Sequence, residues 1–248
     1  MRVSIITASY NRAATIGEAI GSVAAQKHDD IEHVIVDGGS TDGTLDVIAH
    51  HQRSVAKVLY GPDDGAYDAF NKGIAASTGQ VIGFLHSDDL YADPEVIAGV
   101  ARQMEAEDLD ALYGDVAFVP AEDTSRVIRV YSSRRFRPSL IGWGWMPAHP
   151  ALFVRRSLFE QYGLFNTDYK IAGDFEFVAR IFSKHHLRYR YWPAVLVKMR
   201  LGGISTRGWR STLTLNREVL RACRQNGIRT NYLKILSKYP AKLLEFMV

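Results

Sequence analysis

The chain has 248 residues, 47% of them hydrophobic and 23% charged, which is the balance of a globular protein with a sizeable core and excludes a disordered chain. Its formal net charge of +3 excludes a whole-molecule polyanion binder, so no nucleic-acid partner is expected. The single cysteine, Cys223, excludes an internal disulfide and a cysteine-rich zinc site and fits a reducing compartment.

The N-terminus, MRVSIITASYNR, enters a strand pattern directly, without the apolar run and cleavage site of a signal peptide. No stretch approaches the ~20 apolar residues of a spanning helix, so the expected location is cytoplasmic, with the cytoplasmic face of an inner membrane left open. Val3 to Ala8 is an apolar run suited to a strand buried on both faces. Ala14 to Gln26 carries Ile16, Ala19, Ile20, Val23 and Ala24 at helical spacing. His33 to Val36 predicts a second strand, ended by DGGSTDGT, and a helix follows through Leu45, Val47, Ile48 and Ala49. Lys57 to Tyr60 predicts a third strand, Ala66 to Ala76 a helix and Val81 to Leu85 a fourth strand. Asp93-Pro94 predicts the opening of a helix to about Glu107, with Asp93 as N-cap. This alternation predicts an α/β fold with a parallel sheet. After Asp110 the grammar changes. Ala111 to Val119 and Arg126 to Tyr131 read as an antiparallel excursion, Leu152 to Val154 and Ala194 to Val197 as strands, Phe175 to Phe182 as a helix, and the chain from Trp209 as helical.

Ligands of open parallel sheets bind at the carboxyl ends of the strands, and four polar clusters fall there. They are Thr7 to Arg12, Asp37 to Asp42, Asp63 to Lys72 and His86 to Asp89. Each alone is compatible with a helix-capping turn; four at one sheet edge point to a site. No GxGxxG and no Walker lysine loop are present, which disfavours dinucleotide and ATP-hydrolase readings. Asp88 and Asp89 are adjacent carboxylates after the apolar run VIGFL, and their repulsion needs a compensating charge. Mg²⁺ or Mn²⁺ bridging to a pyrophosphate supplies one. The alternative, an N-cap pair for the next helix, is weakened because Asp93 fills that role.

TASYNR from Thr7, VDGGSTDGT from Val36, DDGAYDAFNKGI from Asp63, FLHSDD from Phe84 and AGDFEF from Ala172 together resemble the family 2 glycosyltransferases, inverting enzymes of the GT-A fold. LGGIS from Leu201 resembles the closing signature of a bacterial polysaccharide-assembly subgroup. The resemblance covers about residues 1 to 205. It implies a Rossmann-like nucleotide-diphospho-sugar transferase with a mostly parallel central sheet, a small antiparallel excursion and C-terminal helices. A donor half of about residues 1–110 and an acceptor half of about 111–205 follow, leaving 206–248 as a C-terminal helical extension. It also implies a nucleotide-diphosphate sugar donor, a divalent metal and transfer to a hydroxyl of a glycan or lipid-linked saccharide.

Carried over by position, the resemblance places Asp37 and the backbone of Thr7 to Ser9 beside the nucleotide base. Asn11 and Arg12 join the donor side, and Asp42 orders the loop. Asp68, Asn71 and Lys72 match a pattern near the donor. The family's Asp-any-Asp metal motif has His86 at its first position and Asp88 at its second. A neutral imidazole cannot replace a carboxylate's charge, so Asp88 and Asp89 are the expected metal ligands, with His86 and Ser87 on the donor, and strict metal dependence stays open. Asp174 matches the general base that takes the acceptor proton; its alternative is a helix N-cap. Where the family carries an acid before that residue stands Gly173, so Asp174 is expected to act alone. His149, Trp143, Trp145 and Arg200 are acceptor-side or diphosphate candidates, each with a structural alternative.

Trp209 to Arg224 and Tyr232 to Val248 interleave Arg and Lys with apolar residues, with a break expected at Pro240. Helices packed on the main domain and interfacial attachment to an anionic bilayer both fit this pattern. Two rival functions remain: a catalytically impaired nucleotide-sugar or glycan binding protein of the same fold, and a sugar nucleotidyltransferase. The latter lacks a glycine- and lysine-rich triphosphate loop.

Overall fold

A computed structural model describes residues 1–184, 186–202 and 208–237. The end of the LGGIS motif, the expected break at Pro240 and most of the last predicted helix lie outside them. Four strands, β1 (Val3–Ser9), β2 (Ile31–Asp37), β3 (Lys57–Tyr60) and β4 (Val81–Phe84), run parallel in the order β3-β2-β1-β4. Registers pair Ser9 with Asp37 and Asp37 with Tyr60, so these strands end side by side and their following loops share one edge. The sheet continues through β8 (Leu152–Arg155), β6 (Ala111–Val119), β9 (Tyr189–Arg200) and β5 (Leu90–Tyr91), with β7 (Arg129–Tyr131) on β6. β8 is antiparallel to β4 and β6, whereas β6 and β9 are parallel. The α/β architecture is therefore the expected one, and the β6–β7 hairpin is its antiparallel excursion.

The helices are α1 (Ile16–Ala24), α2 (Thr44–His50), α3 (Ala66–Ala76), α4 (Val96–Ala106), α5 (Arg156–Tyr162), α6 (Gly173–Lys184), α7 (Gly208–Gln225) and α8 (Tyr232–Leu236). Periodicity explains their seating: Ile16, Ala19, Ile20 and Val23 put one buried stripe of α1 on the sheet. α3 lies closer still, because a Cβ on Gly73 would collide with Ile6 of β1. Several boundaries differ from expectation. α4 starts at Val96 rather than at Pro94, since the Asp93 carboxylate accepts from Glu95 N (2.8 Å) and closes a turn ahead of the helix. α6 starts at Gly173, so Asp174 belongs to its first turn. β9 is longer than the predicted segment because its pairing with β6 runs, across an irregularity, from Tyr189 to Arg200, and β5 pairs near its end. α7 buries Val219, Leu220, Ala222 and Cys223 in the same apolar cluster as Phe175, Val178, Ala179 and Phe182 of α6.

Candidate active site

The loops after β1 and β2 are tied to each other. Asn11 takes a left-handed backbone (φ 52°), its N–H donates to Ser40 Oγ (2.8 Å), and its side-chain oxygen accepts from Thr41 N (2.9 Å). Arg12 N donates to Thr44 Oγ1 (2.7 Å), and its guanidinium turns back to Asn11 O (3.1 Å). Asp42 bridges both loops, accepting from Ala13 N and Thr44 N, which is the ordering role expected of it. The fully buried Asp37 carboxylate accepts from Gly39 N, Ser40 N and Ser40 Oγ, so it shapes the loop that follows β2. The place a side chain at Gly38 would take is filled by the Asp63 carboxylate, which the sequence reading left without a role. Thr7 is also buried, bonded to His33 Nε2 (3.0 Å), while the buried Ser9 hydroxyl has no partner among the described residues.

The loop after β4 separates the two adjacent carboxylates. Asp89 is 2% exposed and accepts from Arg200 N (3.2 Å); burial, with Asp88 beside it, pushes its carboxyl well above the usual range. Its Oδ2 is buried with no hydrogen-bond partner among the described residues, so of the expected metal pair Asp88 is the more exposed member and Asp89 the enclosed one. Asp88 stays half-buried next to His86. Among the described residues no three His, Cys, Asp or Glu side chains form a ready metal cage. Asp88, with a neutral imidazole beside it, fits a cation whose other ligands are donor oxygens and waters, the usual habit of Mg²⁺. Arg200 is bound into the same loop. Its guanidinium donates to Glu18 Oε2 (2.6 Å), Asp88 O (2.8 Å) and Ala121 O (3.2 Å), tying α1, the β4 loop and the end of β9. Ser87 is buried in that loop.

α3 connects this loop to Asp174. Phe70 packs against His86 and His149, with ring centroids 5.8 and 5.6 Å apart, and against Phe84 and Phe165. His149 stacks on Phe84 (5.0 Å), lies 6.0 Å from His86 and is buried; desolvation lowers its pKa to about 3, leaving a neutral ring whose Nε2 has no partner among the described residues. One turn earlier, the Tyr67 hydroxyl donates to Ile171 O (2.7 Å) and Asp174 Oδ1 (3.2 Å). Asp174 is half-buried, and desolvation raises its pKa to about 6 against the hydrogen bonds from Phe175 N and Tyr67. Gly173 has its reason here: a Cβ would lie 2.7–2.8 Å from the Tyr67 ring, so a side chain there would displace the tyrosine. Tyr67 was missed from the sequence, although its spacing of four from Asn71 signals a shared helix face.

Asn71, Asp68 and Lys72 turn out to be braces. Asn71 bonds both Phe165 O (2.9 Å) and Phe165 N (3.0 Å), which fixes the loop before α6. Asp68 pairs with Lys72 (2.8 Å) and accepts from Asp64 N, while Lys72 donates to Pro62 O. All three hold loops at the sheet edge, and the Lys72 side chain remains 42% exposed there. Trp143, 41% exposed, lies beneath Lys234 of α8 (5.4 Å), and Trp145 is half-buried.

Residues 4–163 match the family model described as glycosyl transferase family 2. A PGL/p-HBAD biosynthesis glycosyltransferase of Mycobacterium bovis is 34% identical over 214 residues, 82% of this chain and 78% of that protein. An uncharacterized glycosyltransferase of Mycobacterium tuberculosis is 34% identical over 181 residues, 72% and 68% of the two chains. Among solved structures, S. aureus TarS 1-349 in complex with UDP-GlcNAc superposes with a TM-score of 0.70 at 18% identity, over 90% of this chain and 66% of that one. The mannosyltransferase PcManGT from Pyrobaculum calidifontis, in complex with GDP-Man and Mn²⁺, gives 0.66 at 21% identity, over 89% and 64%. This chain thus spans just under two thirds of both structures.

Proposed function

The chain belongs to glycosyl transferase family 2, with the GT-A architecture of its structural neighbours, and from that premise we propose that it transfers a sugar with inversion from a nucleotide-diphosphate donor to a hydroxyl acceptor. The observation that carries this reading is Asp174, a half-buried carboxyl raised to about pKa 6 at the first turn of α6. It is braced by Tyr67 on the same helix that packs Phe70 under His86. A base with a pKa near the working pH is matched to proton abstraction. The acceptor oxygen attacks the anomeric carbon opposite the leaving diphosphate, Asp174 takes its proton, and the bond from the anomeric carbon to the diphosphate oxygen breaks.

The tied loops after β1 and β2 form the donor side, where the buried Ser9 hydroxyl has no partner among the described residues. A Mg²⁺ or Mn²⁺ ion held by Asp88, with His86 beside it, would supply neutralisation of the departing diphosphate. The acceptor class is a growing glycan or lipid-linked saccharide. Exposed Tyr232, Leu233 and Leu236 of α8, near Lys234 and Trp143, support a peripheral contact with a membrane surface that suits a lipid-linked acceptor. No described helix is long and apolar enough to cross a membrane.

The test is a thermal-shift panel of UDP-, GDP- and dTDP-sugars with and without Mn²⁺, followed by turnover of Asp174→Asn. Stabilisation by one nucleotide class is expected. Asp174→Asn should lose about 10²- to 10⁴-fold in turnover with donor affinity retained, and the wild type should lose kcat/KM as pH falls through about 6. Near-wild-type turnover of Asp174→Asn would remove the base assignment.

A further inference from the structure

The segment leading into α6 is held from two sides. On one side stands α3, through Tyr67 and Asn71. On the other stands α7, which lies beyond the residues matched by the family model. Glu218 of α7 is 9% exposed, and its carboxylate accepts from three consecutive backbone N–H groups: Lys170 (2.9 Å), Ile171 (2.9 Å) and Ala172 (2.8 Å). Successive N–H groups converging on one anion form a backbone nest, and hydrogen bonds to an ionised acceptor are about twice as strong as neutral ones. The same peptides carry the next interactions toward the site. Ile171 O accepts the Tyr67 hydroxyl that also reaches Asp174, and Ala172 O accepts from Glu176 N (2.9 Å) at the start of α6. Arg221, one residue short of a full turn from Glu218, donates to Asp168 O (2.9 Å) and covers the Tyr169 ring at 3.8 Å. The segment thus has its backbone direction set by α7 before Asp174 is reached.

We propose that Glu218 is a positioning residue for Asp174, gripping the 170–172 backbone so that the carboxyl and the Tyr67 hydroxyl meet in one orientation, and that α7 is thereby a working part of the active site. The inference rests on the reading of Asp174 as the base. Glu218 also acts on Asp174 through space. The groups facing that carboxyl are Tyr67 from α3 and Glu218 from α7; on α6 itself, Glu176 is paired with Arg180 (2.8 Å). Burial is the main cause of the raised Asp174 pKa, and the Glu218 charge adds in the same direction.

The experiment compares wild type, Asp174→Asn, Glu218→Gln and Glu218→Asp, with folding checked by melting temperature. Carbon-13 NMR of protein labelled at aspartate carboxyls follows the Asp174 signal, identified by its loss in Asp174→Asn. Turnover is read as nucleotide release from UDP-GlcNAc or GDP-mannose, whichever the wild type consumes. Glu218→Gln keeps the shape but removes the charge and sets an NH₂ against the nest. It should titrate at a lower midpoint than the wild type's value of about 6 and lose on the order of 10- to 100-fold in kcat. Donor KM should change less than about twofold, and Glu218→Asp should recover part of the loss. An unmoved midpoint, or a turnover loss that tracks melting temperature alone, overturns the proposal. If Glu218→Gln does not fold, the same readouts on Glu218→Asp decide. If neither donor is consumed, the titration decides. An active Asp174→Asn variant defeats the base assignment itself, whereas an inactive one beside a normal Glu218→Gln defeats only the role of Glu218.

Discussion

Asp174 has a consequence for stability as well as for chemistry. Its folded-state pKa of about 6 lies above the ordinary value of 3.8, so the native state binds this proton more tightly than the unfolded chain does. That contribution is fully present below about pH 4 and is lost as pH rises through about 6. Above that point the ionised carboxylate costs the fold of order 1–3 kcal/mol, taking about 1.4 kcal/mol per pH unit and allowing for partial exposure. Asn keeps an acceptor for Phe175 N without a charge to desolvate. Melting curves should therefore show Asp174→Asn more stable than wild type at pH 8, with the advantage gone near pH 4; a constant difference across that range would contradict the raised pKa. Such a trade of stability for function is the usual signature of a working site. The other carboxylates illustrate how far residue type alone carries. Asp88 and Asp89 are indistinguishable in the sequence; burial separates them, Asp89 being enclosed against the backbone of Arg200, 111 positions away, while Asp88 is half-buried. Asp37 is a donor candidate by position and an anchor of its own loop by geometry.

α3 is the element on which the site depends. Its successive turns supply Tyr67 to Asp174, Phe70 to His86 and His149, and Asn71 to the Phe165 backbone. Its position over β1 is set by Gly73, where a Cβ would collide with Ile6 and lie 3.3 Å from Val36 Cγ2. Gly73→Ala gains about 1 kcal/mol of helix propensity but must push the helix off the sheet, and overpacking typically costs about 1–3 kcal/mol. The expected result is a lower melting temperature together with reduced turnover, because Tyr67 and Phe70 move with the helix. A more stable and fully active variant would show that the contact is slack. The helix and its apolar period are legible in the sequence from Tyr67, Phe70 and Ile74. The partners of its polar face are not, because Phe165 and Ile171 lie about 100 positions further along the chain.

At the scale of the whole molecule, the predicted extension of 206–248 meets the core through α7 and through the buried Ile235 of α8. Val219, Leu220, Ala222 and Cys223 are each no more than 6% exposed and share a cluster with α6. At about 1.5–3 kcal/mol for a fully buried large apolar side chain, removing them withdraws several kcal/mol from a domain whose net stability is about 5–15 kcal/mol. A chain ending before Gly208 should melt far below the full chain or fail to fold, as circular dichroism would show; an unchanged melting temperature would make α7 a dispensable appendage. The strand–helix alternation, the parallel strands and the four polar clusters at their carboxyl ends were all legible from residue order. Hydrophobic period and turn chemistry are local properties, and connection rules leave few ways to assemble them. The division of labour among the polar residues was settled by tertiary contacts. Which carboxylate is enclosed, which is raised toward neutral pH and which grips a backbone depends on atoms brought together from distant parts of the chain, and desolvation and hydrogen bonding act only across those contacts.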